Sequence, residues 1–241
     1  MVKVFINPGH SLNGKPDAGC VYNGIKECDI ARQIAIALQN KLRLNSIESE
    51  LYQQNGDKTS NAQLNEVPKI ANKSGACLFI SIHMNGFNNE TACGTETWYA
   101  NGSSNGKRFA ELVNSKLTET FGDYTLKNRG VKVDERGFLV LKATSMPAIL
   151  TEIGFISNKK EAEFIKSHVD AIADRLLRAT LLYFGISEIK DRQEIRIKLL
   201  DNGRYDCFVN DQIKLSGNRL STCLEWIQKN YGDNKWDYLD L

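Results

Sequence analysis

The chain has 241 residues, of which 41% are hydrophobic and 25% charged. That suits one packed domain, or a domain with a small module, and argues against a disordered chain. A formal net charge of +2 gives no electrostatic case for nucleic acid or a membrane surface as partner, and no stretch approaches the roughly 20 apolar residues of a membrane span.

Val2 to Ile6 is an apolar run that predicts a strand, followed by the loop Asn7-Pro8-Gly9-His10. With a strand so near Met1, no signal peptide is visible. Glu27 to Leu44 predicts a helix, because Ile30, Ile34, Leu38 and Leu42 recur every four residues. Thr59 to Ser74 predicts a weaker helix, which Pro68 should kink or shorten. Cys77 to Ile82 reads as a strand buried on both faces and ending at His83. Gly94 to Ala100 has strand composition, and Phe109, Leu112, Val113, Leu117 and Phe121 form a helical stripe.

Phe138 to Leu141 and Ala148 to Thr151 read as short strands, the second ending at Glu152. Ala162 to Tyr183 predicts one long amphipathic helix with Gly185 as its stop. Strands alternating with helices imply an α/β domain. After Ile189 the texture changes. Ile195, Ile197 and Leu199 alternate with basic residues, Asp201-Asn202-Gly203 signals a hairpin, and two more strands flank Asn210-Asp211 before a short helix at Leu220 to Tyr231. This reads as a small β-β-β-α module, and the expected division is 1–187 and 188–241. The six cysteines, at 20, 28, 77, 93, 207 and 223, form no CxxC pair and read mostly as small buried apolar residues; whether Cys20 and Cys28 pair stays open.

Two of the three histidines, His10 and His83, directly follow predicted strands. Glu27 opens the first helix, and Glu152 closes the strand at Ala148 to Thr151. In α/β sheets, ligands gather outside the carboxyl ends of strands. Two imidazoles and one carboxylate make a three-ligand zinc site whose fourth position takes water, and zinc lowers the pKa of that water to about 7. A second, unliganded carboxylate can then pass a proton to a leaving nitrogen. Each residue also has a plain reading: a hydrogen-bonded histidine, a helix N-terminal charge at Glu27, a paired carboxylate at Glu152.

The segments Ile6-Asn7-Pro8-Gly9-His10, Asn23-Gly24-Ile25-Lys26-Glu27, Ile70-Ala71-Asn72, Ser81-Ile82-His83-Met84-Asn85, Gly94-Thr95-Glu96-Thr97-Trp98-Tyr99, Asn128-Arg129-Gly130-Val131 and Pro147 to Asn158 occur in this order. Together they resemble the zinc-dependent N-acetylmuramoyl-L-alanine amidases with an AmiC or CwlV type of catalytic domain, from about residue 2 to 185. The resemblance implies a mixed, twisted sheet with helices on both faces. It places His10, Glu27 and His83 on the zinc ligands and Glu152 on the catalytic carboxylate. It implies attack by a zinc-bound water, with Glu152 as general base and acid, on the N-acetylmuramic acid to L-alanine amide of peptidoglycan, outside the cytoplasm. His168 matches no motif position. The chain departs from the family at His10-Ser11-Leu12, where a longer loop runs to Asp17, and at Val67, where the family carries arginine.

Two alternatives remain at this stage: a non-catalytic peptidoglycan-binding protein on the same fold, and a zinc peptidase. For the C-terminal module, with nearly balanced charge and Trp226 and Trp236, the expectation is wall targeting or self-association.

Overall fold

The computed structural model describes residues 2–55, 60–189, 195–209 and 212–231. Thr59, Asn210, Asp211 and Trp236 lie outside them. The chain divides into two units, Met1–Glu188 and Ile189–Leu241.

The first unit opens with β1 (Lys3–Pro8), a two-residue hairpin of β2 (Val21–Tyr22) and β3 (Ile25–Lys26), and α1 (Glu27–Leu44). Then follow β4 (Glu48–Leu51), α2 (Ser60–Lys73), β5 (Leu78–Asn85), β6 (Thr95–Ala100), α3 (Ser104–Leu117) and β7 (Asn128–Asp134). The unit closes with α4 (Leu139–Lys142), β8 (Ala148–Phe155), α5 (Lys159–Ser167) and α6 (Val169–Phe184). Six strands form one sheet in the order β4-β1-β5-β8-β6-β7. β4, β1, β5 and β8 run parallel, β6 is antiparallel to β8, and β7 is parallel to β6. The sheet is mixed, in agreement with the fold implied by the resemblance.

Alternation along the strands divides the core in two. Val4, Ile6, Leu78, Ile80, Ile82 and Ile149 pack in one cluster with α1, α3, α5 and α6. Phe5, Phe79, Trp98 and Leu150 point the other way, to Val67 and Ala71 of α2 and Val140 and Leu141 of α4. Strands covered on both faces read as continuous apolar runs, as β1 and β5 do.

Several expectations need correction. β5 and β8 run past His83 and Glu152, which lie inside strands and are register partners across the β5–β8 pair. Phe138 to Leu141 is not a strand: Asp134 accepts backbone hydrogen bonds from residues 136 to 138, and the tightened chain enters α4. The long C-terminal helix is two helices, α5 and α6, broken at His168. There the imidazole stacks on Phe164, with ring centroids 4.2 Å apart, and its Nδ1 lies 2.9 Å from the Phe164 carbonyl. Pro68 sits within α2, a helix of 14 residues that continues past it, with Val67 and Ala71 fully buried on either side. Gly185 ends α6 in the left-handed conformation, at φ 67°. All six cysteines, Cys20 and Cys28 included, are free thiols.

The second unit holds β9 (Ile195–Leu199), β10 (Tyr205–Val209), β11 (Gln212–Asn218) and α7 (Leu220–Tyr231). Its antiparallel sheet has the order β11-β10-β9. Its own small core is Ile197, Cys207, Val209, Cys223 and Ile227, with Trp226 packed against it.

Candidate metal centre

β1, β5 and β8 are neighbours in the sheet, and their carboxyl ends deliver three of the four singled-out residues to one cavity. His10 follows β1 by two residues, with φ 65°, a left-handed conformation uncommon outside glycine. His83 projects from β5 and Glu152 from the adjacent position on β8. Glu27, the first residue of α1, is 4% exposed. It reaches the same place because the β2–β3 hairpin ends directly at the helix.

Glu27 is the hub. Its Oε1 lies 2.9 Å from His10 Nε2 and 2.9 Å from His83 Nδ1, and it accepts the backbone N–H of Met84 at 3.0 Å. Its Oε2 accepts the backbone N–H of Cys20 at 2.9 Å. One ligand atom from each of His10, Glu27 and His83 lies within 4.8 Å of the others. Ligands of a tetrahedral zinc, at about 2.0–2.1 Å from the ion, are about 3.3 Å apart. The donor set therefore fits the ion in both chemistry and spacing.

Two glycines let these groups converge. A Cβ on Gly9 would lie 2.3 Å from His83 Cε1, and one on Gly19 would lie 2.5 Å from Glu27 Oε2. The far side of His10 is held as well: Nδ1 is 2.9 Å from Asp17 Oδ2, while Asp17 Oδ1 accepts the Gly19 N–H at 3.0 Å. Buried Gln53 donates to the carbonyls of Gly9 and Cys28, both at 3.2 Å, pinning the His10 loop to α1. In the sequence Asp17 stands out only as the end of a longer loop. The short Asp17-Ala18-Gly19 run was its one visible signal.

The charges follow from these contacts. Burial opposes ionisation of Glu27, yet hydrogen bonds from two imidazoles hold its carboxyl far below the usual carboxylate range. Burial also opposes the His10 imidazolium, but Glu27 and Asp17 outweigh it and raise its pKa to about 9. Glu152 goes the other way. Burial, with the Glu27 and Glu96 carboxylates nearby, pushes its pKa up to about 8. Its Oε2 is shut off from solvent without a hydrogen-bond partner.

Glu96, the register partner of Glu152 on β6, is tied instead to Arg129 Nε at 2.7 Å and Lys132 Nζ at 2.6 Å. Burial opposes that ionised carboxyl too, but the two cations hold it below its ordinary value. The cavity measures about 530 Å³, and its wall includes all four residues together with Asp17, Arg136 and Phe138. Between His83 and Asn128 the fold adds only β6 and α3, so no extra long helix covers the cavity from that segment.

Residues 4–180 match the N-acetylmuramoyl-L-alanine amidase family. The chain belongs to that family. The amidase LytC of Bacillus subtilis is 33% identical over 185 residues, which is 75% of this chain and 35% of that protein. The amidase CwlM of Bacillus licheniformis is 35% identical over 170 residues, covering 69% of this chain and 62% of that protein. The chain thus matches about a third to three fifths of the length of these curated amidases. The crystal structure of an N-acetylmuramoyl-L-alanine amidase from Clostridium difficile 630 superposes with a TM-score of 0.66 at 33% identity, covering 76% of this chain and 97% of that one. The matched amidase region contains His10, Glu27, His83 and Glu152.

Proposed function

We propose that this amidase-family chain hydrolyses the amide between N-acetylmuramic acid and L-alanine in peptidoglycan, with Zn²⁺ held by His10, Glu27 and His83 and with Glu152 as general base and acid. The observation that carries the reading is the pairing, in one cavity, of a three-donor cluster with a buried carboxylate whose Oε2 has no partner. When bound, Zn²⁺ supplies a Lewis acid that polarises the scissile carbonyl and activates water, and its charge favours ionised Glu152.

The protein's own groups do the rest. Asp17 accepts from His10 Nδ1 and so turns Nε2 toward the cluster. The Glu152 carboxylate takes the proton of the attacking water and returns it to the nitrogen of L-alanine, which leaves poorly without it.

A non-catalytic wall-binding protein would be expected to have lost a donor or the base, and all four residues are present. The test is purified cell wall treated with the zinc-loaded protein. New amino termini on L-alanine and free lactyl carboxyls on the sugar are expected, abolished by chelator and restored by zinc. Full activity without metal contradicts the zinc reading, and new termini between peptide residues would make the protein a peptidase.

For residues 188–241 we propose wall targeting or self-association. The unit has its own sheet and core, and Trp226 is partly spent on that core. A chain ending at Ser187 should still cleave a soluble muropeptide but bind whole wall more weakly or form a smaller assembly. No change in either property would remove this role, and an insoluble product would make the segment part of the catalytic fold.

A further inference from the structure

The cavity wall also carries a cation that the chemistry above does not use. Arg136 sits on the turn between β7 and α4. Asp134 locks that turn by accepting the backbone N–H groups of Arg136 and Gly137, both at 3.0 Å, and of Phe138 at 2.7 Å. The Arg136 guanidinium lies over the Trp98 ring, 4.5 Å from its centroid, and 5.8 Å from that of Phe138. Its basic neighbours on β7, Arg129 and Lys132, are both bonded to Glu96. Arg136 is exposed, makes no ion pair among the described residues, and is the only lysine or arginine among those lining the cavity. A guanidinium placed over an aromatic ring and without an ion pair still has N–H donors to offer, in the fork that matches a carboxylate.

What could fill that fork follows from the substrate. In the intact amide the lactyl carboxyl of the sugar is the acyl half of the bond to be cut. A free carboxylate beside it must therefore come from the peptide. We propose that Arg136 binds a carboxylate of the stem peptide close to the scissile amide, and so selects anionic over amidated peptides. This specificity rests on the amidase reading, but its test can fail separately.

The probes are two N-acetylmuramoyl tripeptide amides. They are identical except that the residue after L-alanine bears a free α-carboxylate in one and its carboxamide in the other. Arg136 is exposed, so solvent screens the pair, and kcat/KM should favour the free acid by about 2–5-fold. Arg136→Gln should bring that ratio close to one, mainly through KM, and Arg136→Lys should keep part of it. Zinc affinity and thermal stability report whether the variants are intact. A wild-type protein that does not distinguish the peptides, or an Arg136→Gln variant with an unchanged ratio, overturns the inference. If wild type cuts neither peptide, calorimetric binding decides: tighter binding of the acid, lost in Arg136→Gln, supports the carboxylate site while the amidase reading fails. Equal or absent binding removes the carboxylate site as well.

Discussion

Around Glu27 both carboxylate oxygens are spoken for: Oε1 by His10, His83 and the Met84 N–H, Oε2 by the Cys20 N–H. Glu152, on the same cavity wall, is left with a buried Oε2 that nothing satisfies. The two glutamates are of one residue type in one low-dielectric cleft, yet the imidazoles depress the Glu27 pKa while burial raises that of Glu152 to about 8. The proposed division of roles, metal donor at Glu27 and proton carrier at Glu152, rests on this difference. A carboxylate bonded to two imidazoles stays charged and forms a donor cluster. A buried carboxyl with an unspent oxygen is costly to keep, and the cost is understandable where a proton must be moved.

The contrast is tested most severely by Glu152→Gln. The amide keeps the shape and removes the base, so turnover should fall by about 10²–10⁴-fold or more, while equilibrium dialysis still finds one zinc per chain. Loss of zinc in this variant would mean that Glu152 belongs with the donors and that the two sides are not distinct. A smaller effect is expected from Asp17→Asn, which touches only the imidazole side. His10 would lose its charged acceptor, and zinc affinity should weaken by about 10–100-fold in competition with a chelator, with much of the activity recovered at saturating zinc. Unchanged affinity would show that the glycine-rich loop and Gln53 orient His10 without Asp17.

The second unit offers a different lesson about aromatic residues. Trp226 alone could be read as a sugar-stacking ring or as core, and it packs against the buried cluster of Ile197, Cys207, Val209, Cys223 and Ile227. Nothing in a helical spacing says which neighbours a ring will meet.

By itself the sequence determined the elements whose signal is local. α1 spans Glu27–Leu44 as read, because its apolar positions repeat with the helical period. Gly185 stops α6, because a left-handed cap suits glycine. The ordered motif segments identified the family and named His10, Glu27, His83 and Glu152. Tertiary structure decided what depends on partners distant in the chain. β4, with Glu48-Ser49-Glu50-Leu51, is a strand because β1 hydrogen-bonds it, not because of its composition. β7 likewise exists by pairing with β6. The Asp134 carboxylate turned a predicted strand at Phe138 into a helical turn. Only the folded chain set Asp17 behind His10 and brought Arg136 to the cavity of Glu152, since a carboxylate or guanidinium acquires its role from the charges and rings around it, and those come from other strands.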